Sequence, residues 1–190
     1  CSDPRVALTP KLHAAWVDEF RSRMAGEIAA AAQLYRLTGD QKYADWAAGQ
    51  IDFYADNYAK CPKQSNAPGT HFMWQSLDEA TNLVDYATAA RILGDYVTPE
   101  RKARWFTELF SPECDLLNTT YKTIHNIACW HRAAVGIVAV LYHNNALWKK
   151  AVDDKYGVSD QLARGVTSDY LWREQSLGYN SYVVEALTPF

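Results

Sequence analysis

Residues 121–145, YKTIHNIACWHRAAVGIVAVLYHNN, and residues 172–182, WREQSLGYNSY, decide the fold of this chain. The first segment opens with polar side chains that can carry protons and continues into a strongly apolar helix, predicted over residues 124–143. The second contains an isolated Gly-Tyr pair, Gly178 and Tyr179, with charged residues just before it. A polar cluster at the start of a buried helix, together with such a corner, predicts a cleft in a helical scaffold.

The composition predicts one globular domain. The chain has 190 residues, of which 48% are apolar, and this is enough to build a core. Its longest apolar run, residues 133–142, is about half of the roughly 20 residues that a membrane helix needs, so we expect a core helix and no membrane span. The net charge of -3 argues against a nucleic-acid partner, although a local basic cleft could still bind a polyanion.

The first part of the chain predicts a helical hairpin. Thr9 and Pro10 form a helix start, Gly39 a helix end, and Asp40 a cap for the next helix. Apolar residues then recur mostly every fourth position, as on one face of a helix. They are Leu12, Trp16, Phe20, Met24, Ile28, Ala31 and Tyr35.

Helical patterns continue to the end of the chain, and no strand alternation competes with them. Residues 60–70 and 111–121 are predicted as loops, and residues 169–178 as a corner. The further helices are expected at 76–93, 98–110, 124–143, 146–152, 159–166 and from Tyr179 or Asn180 onward. The predicted fold is all-α, an incomplete α/α toroid of antiparallel helix hairpins, with too few helices to close a ring.

The cysteines and histidines predict no metal site and no cofactor in this segment. Cys1, Cys61, Cys114 and Cys129 have no zinc-ligand spacing, and Cys129 is expected to be a buried thiol. His125 and His131 lie six positions apart and do not share a helix face. Because the chain starts at Cys1 without a methionine or a signal peptide, we expect either a lipid-modified cysteine or a piece of a longer chain.

His125 and Asn126 stand at the start of the fifth predicted helix, where the helix dipole and open backbone N–H groups favour an anion. A carboxylate or sulfate could dock there. The alternative is that Asn126 caps the helix and His125 is a surface turn residue.

Tyr179 is a candidate base, but a tyrosine hydroxyl has a pKa of about 10 in solution. It could act only if positive charge from His125, Arg132 or Arg173 stabilised the phenolate. The alternatives are that Tyr179 anchors the last helix, or that Tyr182, one turn deeper, takes its place.

Trp74, Gln75 and Glu79 form a third candidate set at the start of the third helix. A tryptophan can stack on a sugar ring. Gln75 and Glu79 lie one turn apart on the same helix face, so both could hydrogen-bond the hydroxyls of that sugar. The alternative is a capping box, with Ser76 as the cap and Glu79 three residues later. Asp78, Glu79, Asp169 and Glu174 also leave open the carboxylate pair of a glycosidase.

Three segments resemble the heparinase II/III and oligoalginate lyase superfamily of polysaccharide lyases. HFMWQSLDEATNLVDYATAARIL is similar to its third-helix region, IHNIACWHRAAVGIVAVL to its His-Asn helix start, and SDYLWREQSLGYNSYVVEAL to its catalytic-tyrosine corner. The resemblance implies a toroid followed by a β-sandwich domain, with cleavage of uronic-acid polysaccharides by β-elimination. It therefore implies that residues 1–190 form one helical domain of a longer chain, whose β-sandwich, with any metal it holds, lies outside this sequence.

The resemblance also implies roles for individual residues. His125 and Asn126 would neutralise the uronate carboxylate or assist proton transfer, and Tyr179 would take the C5 proton. The implied substrate contacts are Trp74, Gln75, Glu79, Trp130, Arg132 and Glu174. A departure is Asn180, where many members have a histidine after the tyrosine. The family further implies a periplasmic or secreted protein and an acidic glycan substrate, and it gives no oligomeric state.

Three functions follow as hypotheses from these residues. The first is a lyase acting on alginate or on a glycosaminoglycan such as heparan sulfate. The second is a toroid hydrolase with a carboxylate pair, and the third is a noncatalytic helical module that binds glycans.

Overall fold

The computed structural model describes residues 7–65 and 69–189, and within them the chain is helical. The only extended pairing in these residues is a single bridge between Val166 and Trp172, which confirms the all-α prediction. The toroid stays a prediction. The helices of the described residues are α1 Pro10–Thr38, α2 Gln41–Asn57, α3 Ser76–Leu93, α4 Pro99–Trp105, α5 Ser111–Thr119, α6 Asn126–Leu141, α7 Asn145–Trp148, α8 Val158–Gly165 and α9 Leu177–Leu187.

The first hairpin forms as its caps predict. The Thr9 side chain accepts the Leu12 N–H, and Pro10 occupies the first turn of α1. Gly39 ends the helix at a φ of 71°, a left-handed conformation that a residue with a Cβ adopts only with strain. Asp40 then caps α2 by accepting the Lys42 N–H at 3.1 Å. Each of these contacts spans four residues or fewer, so the local sequence is enough to predict it.

The predicted capping box at α3 is wrong, although the helix begins and ends where predicted. Gln75 is the N-cap residue and makes no side-chain cap, while Ser76 is already the first helical residue. Glu79 instead accepts N–H groups from the preceding loop. The loop therefore folds back over the helix start and takes the carboxylate that a capping box would use.

The loop predicted over residues 111–121 is largely helical. A wide π turn, Phe106–Phe110, follows α4, and α5 continues from it to Thr119. Pro112 has no N–H to donate, and as a helix-interior residue it would clash with the preceding turn. It is accommodated here in the first turn of α5, directly after the π turn, so the proline marks a change of helical pitch and not an end.

The core forms around α3 and α6. Helix α1 packs on α2 and α3, while α6 packs on α3, α5 and α9. Helix α6 is buried on nearly every side, as its apolar sequence predicts, and Cys129 within it is a fully buried thiol. Of the described helices, none is long and apolar enough to cross a membrane. Cys1 lies outside the described residues.

The first part of the apolar face of α1 lies outside the core. Ile28 and Ala31 are buried, but Trp16 and Phe20 are 53% and 48% exposed and stack on each other at 5.5 Å. The four-residue spacing correctly indicated one face of a helix. It could not show that neighbouring helices cover only the second half of that face.

Candidate active-site groove

The starts of α3, α6 and α9 meet at one groove of about 520 Å³. Three separate parts of the chain thus contribute to it, and the groove brings together four of the predicted site residues. A positive end of a helix dipole points toward it from each of the three helices, which favours a negatively charged ligand. The residues that line the groove are Gln75, Leu77, His125, Asn126, Ile127, Ser176, Gly178, Tyr179 and Tyr182.

His125 is the N-cap of α6, a role that the sequence analysis gave to Asn126. Its ring nitrogen Nδ1 accepts the Ile127 N–H at 3.2 Å. A nitrogen that accepts a hydrogen bond carries no proton, so the proton of the neutral ring sits on Nε2. Held in this way, the imidazole of His125 offers a donor at Nε2.

The open backbone N–H groups expected at the start of α6 are occupied. The His125 N–H donates to Gln161 Oε1 at 3.1 Å, and the Asn126 N–H donates to Glu174 Oε2 at 2.9 Å. The Ile127 N–H is taken by His125, as above. An anion at the start of α6 therefore cannot use these three N–H groups and would be bound there by side chains, assisted by the field of the helix.

Glu174 ties the corner before α9 to the start of α6. Its carboxylate accepts the Asn126 side-chain amide at 2.8 and 3.0 Å and the Trp172 indole N–H at 2.6 Å. Partial burial raises the pKa of Glu174, but the hydrogen bonds from Trp172 and Asn126 outweigh this and hold the pKa below its ordinary value. Its Oε1 also lies 3.5 Å from His125 Nε2. Glu174, predicted as a substrate contact, thus lies behind Asn126 and not on the groove surface.

Tyr179 stands in the first turn of α9 with its ring open to the groove. The side chain is 47% exposed, and its hydroxyl has no hydrogen-bond partner within the described part of the chain. Tyr182, its predicted rival, packs on Trp130 with ring centroids 5.1 Å apart, and burial raises its pKa. Of these two tyrosines, Tyr179 therefore has the more accessible hydroxyl.

Glu79 does not reach the groove. It is buried, and its Oε1 accepts N–H groups from His71 at 2.7 Å, Phe72 at 2.8 Å and Met73 at 3.3 Å. Burial raises the pKa of this carboxyl, and this effect outweighs the three hydrogen bonds, which lower the pKa. Glu79 thereby fixes the loop that presents Gln75 to the groove, a role that spacing alone could not reveal.

Comparison with known proteins shows the family of the chain. The family model described as alginate lyase matches residues 10–190. The chain belongs to the alginate lyase family. It is 31% identical over 173 residues to an alginate lyase of Stenotrophomonas maltophilia, and 31% identical over 170 residues to an exo-oligoalginate lyase of Saccharophagus degradans. These matches cover 85% and 83% of this chain, but only 23% and 22% of those proteins, so the chain spans about a fifth of their length.

Three further predicted substrate contacts of this alginate lyase family member lie away from the groove. Trp74 lines a separate cavity of about 810 Å³ beside α1. Trp130 is buried against Tyr182, and Arg132 lines a third cavity, of about 770 Å³, on another side of α6. His131, a polar residue of the same helix start, is fully buried in the core. Trp130, His131 and Arg132 follow His125 closely in the sequence, but α6 turns them to other faces.

The residues that support the groove were missed in the sequence. Gln161 holds the His125 N–H from α8, and its own amide donates to the Thr123 carbonyl at 2.8 Å. Trp172 is buried and donates to Glu174. Within residues 7–65 and 69–189, no group of three or more His, Cys, Asp or Glu side chains is placed to hold a metal ion.

Proposed function

We propose that this chain provides the catalytic groove of a polysaccharide lyase that cleaves alginate by β-elimination. Membership of the alginate lyase family supports the proposal, as do the activities for which the two relatives are named. Because those relatives are more than four times as long as the matched region, the activity is proposed for the protein that contains this groove.

One observation carries the proposal. His125 is fixed as a donor and Tyr179 has an open hydroxyl, and both face the same groove. In β-elimination, the C5 proton becomes acidic only when the neighbouring carboxylate is neutralised, because charge then builds up on an enolate-like group. A donor for that charge and a separate base are the two parts that this reaction requires.

The geometry suggests how these roles are divided. As long as Nδ1 of His125 is held by the Ile127 N–H, the ring cannot accept a proton there, so its task is to donate from Nε2 to the uronate carboxylate. Tyr179, as the phenolate, would take the C5 proton. The C4–O bond then breaks, the double bond forms between C4 and C5, and the same proton passes from Tyr179 to the leaving oxygen.

Asn126 has a different place in this scheme. Its side-chain amide donates to Glu174 in the described structure, so it can contact a uronate only by sharing that carboxylate's hydrogen bonds. We assign it the second donor position, behind His125. Gln75 also lines the groove, and we assign it hydrogen bonds to sugar hydroxyls.

The side chains of this groove do not support the hydrolase hypothesis. A glycosidase needs two carboxyl groups across the cleft, but no Asp or Glu side chain lines the groove among the described residues. Glu79 is committed to three backbone amides and Glu174 to Asn126 and Trp172.

Ultraviolet absorbance tests the proposal directly. The intact protein would be incubated with alginate, heparan sulfate, chondroitin sulfate and hyaluronan, because elimination leaves a double bond conjugated to the carboxylate and hydrolysis does not. We expect absorbance to rise with alginate. Tyr179→Phe should lower the rate by about 100-fold or more without changing the melting temperature, whereas the matched Tyr182→Phe should stay active.

Two results would contradict it. New reducing ends without an absorbance rise would indicate hydrolysis, and no turnover on any of the four glycans would leave a binding module. We further propose a periplasmic or secreted location. The activities for which the bacterial relatives are named support it, since an acidic polymer is met outside the cytoplasmic membrane.

A further inference from the structure

The cavity around Arg132 is not explained by the proposed reaction. It measures about 770 Å³ and lies between the end of α5, the side of α6 and residues 150–156. None of the groove residues lines it. Its wall contains four basic side chains and two tyrosines, which are Lys122, Arg132, Lys150, Lys155, Tyr121 and Tyr156.

Arg132 is a buried cation without a carboxylate partner in the described part of the chain. The residue is 6% exposed, and its guanidinium donates to Asn118 Oδ1 at 2.9 Å and to the Leu117 carbonyl at 2.5 Å. These bonds use two of its five N–H donors, and Nε is buried with no acceptor. A buried charge is stable when an opposite charge compensates it, so the missing counter-charge points to the cavity.

The rim of the cavity adds positive charge. Lys122, Lys150 and Lys155 are exposed, and with Arg132 they outnumber the two acidic residues of the wall, Asp115 and Asp154. None of the four basic groups takes part in an ion pair among the described residues. A concave wall with an excess of one charge concentrates ligands of the opposite charge, even in a protein whose net charge is -3.

Two tyrosines of the wall adopt strained backbone conformations. Tyr121 has a φ of 46° and Tyr156 a φ of 68°, which is unusual for a bulky residue and is found most often at functional sites. Tyr121 is 38% exposed, and the centroid of its ring lies 5.5 Å from that of the His125 ring and 5.2 Å from that of the buried His131 ring. An exposed aromatic ring offers the flat apolar surface on which the C–H face of a sugar packs.

We propose that this cavity is a second saccharide site, which binds a uronate residue with its carboxylate near Arg132, Lys150 and Lys155 and its ring against Tyr121. Charge and an aromatic wall together select a cyclic anion over a simple ion. The site is separate from the groove, and Tyr121 and His125 form the boundary between them. The choice of a uronate as the sugar rests on the proposed function.

Calorimetry on the intact protein tests the site. The Tyr179→Phe background prevents turnover, and the titrants are an alginate trisaccharide, the same trisaccharide with its carboxyl groups reduced to alcohols, and inorganic phosphate. Lys150→Gln with Lys155→Gln removes two rim charges. The matched control is Lys60→Gln with Lys149→Gln, which removes two exposed lysines, one of them adjacent in sequence, that do not line the cavity.

We expect two classes of trisaccharide site, of which the Lys150/Lys155 variant weakens one by roughly tenfold while the control keeps both. The reduced trisaccharide should lose this site, and phosphate should not compete for it. Equal binding by the variant and the control would overturn the proposal, and so would binding of phosphate alone.

The ultraviolet assay separates this result from the proposed function. Elimination by the wild-type protein together with unchanged binding in the lysine variant would reject the second site alone. Lysine-dependent binding of the trisaccharide without elimination would retain the second site and reject the lyase.

Discussion

The two nitrogens of the His125 ring have different tasks. Nδ1 caps α6, while Nε2 lies 3.5 Å from Glu174 Oε1 and is the nitrogen proposed to donate to the substrate, so a substitution can separate the two. Asparagine is a preferred N-cap residue and can accept the Ile127 N–H, but it cannot reach as far as Nε2. We expect His125→Asn to reduce kcat/KM on alginate about 100-fold, the loss typical of one donor to a developing negative charge, with little change in melting temperature.

His125→Ala provides the comparison. It removes both the cap and the donor, so it should lose the same activity and also about 1 kcal/mol of stability. A His125→Asn variant with full activity would show that the ring does not act as the donor. Ultraviolet kinetics and thermal unfolding of the two variants give both quantities.

Glu174 acts through Asn126 and His125, which makes it a positioning residue. Glu174→Gln keeps the size of the side chain but loses the charge beside His125, and its amide group can no longer accept every hydrogen bond that the carboxylate accepts. We expect kcat to fall about tenfold or more with little change in KM, because substrate still binds but meets displaced donors. Glu185→Gln, an exposed change on α9, should have no effect. A rise in KM at constant kcat would instead make Glu174 a substrate contact, as the sequence suggested.

Residue types in the groove could be predicted, but their partners could not. Gly178-Tyr179 and the polar start of α6 stand out in the sequence, and the structure brings both to one groove. The bond between Glu174 and Asn126 joins residues 48 positions apart, and no local pattern encodes it. For the same reason, Glu79 matched a capping box by spacing alone.

Substitution by alanine should change the stability in opposite directions at two helical glycines. At Gly165, the end of α8, an added Cβ would lie 2.1 Å from the Trp172 ring, whereas at Gly49 within α2 nothing lies within 4 Å. Gly165→Ala should therefore destabilise by about 1–3 kcal/mol, and it should lower activity by moving Trp172 away from Glu174. Gly49→Ala should stabilise by about 0.5–1 kcal/mol, because alanine loses less backbone entropy on folding.

Urea unfolding measures both free energies. A Gly165→Ala variant as stable and active as the wild type would mean that Trp172 moves freely, and the support proposed for Glu174 would then be absent.

Helix boundaries were predicted well where a cap lies within a few residues. Thr9, Gly39, Asp40 and Thr98 all act as expected. Boundaries failed where the helix changes pitch, since a π turn such as Phe106–Phe110 leaves no distinct mark in the sequence. In the sequence, Pro112 therefore indicated a helix break, although in the structure the helix continues past it.

The stability of the whole molecule should depend on pH through Asp85. Burial raises the pKa of this carboxyl from 3.8 to about 6. The folded state therefore holds the proton more tightly than the unfolded state. The resulting stability is complete below pH 3.8 and is lost as the pH rises through about 6, by about 3 kcal/mol.

Asp85→Asn does not titrate and should escape this loss. Compared with the wild type, the variant should gain stability between pH 4 and pH 7, as measured by urea unfolding at a series of pH values. A constant difference across this range would show that Asp85 titrates alike in the folded and unfolded states.

At the scale of the whole molecule, the sequence predicted the class of the fold but not which surfaces are covered. Trp16 and Phe20 belong to the same stripe as Ile28, yet only Ile28 meets another helix. Arg132 lies six residues beyond Asn126, about 1.7 turns of α6, so ideal helix geometry turns it about 120° away from Asn126 and toward another cavity. Both outcomes depend on how helices distant in sequence pack together.

The docking of α9 on α6 determines when, during synthesis of the chain, the groove can be completed. Val183 and Ala186 of α9 are buried, so the helix is held by the core that the earlier helices build. During synthesis, the residues up to α8 leave the ribosome first and can fold with His125 already capping α6. The groove acquires Tyr179 only when α9 emerges and docks, so a nascent chain stopped before residue 177 would contain most of the fold and none of the chemistry.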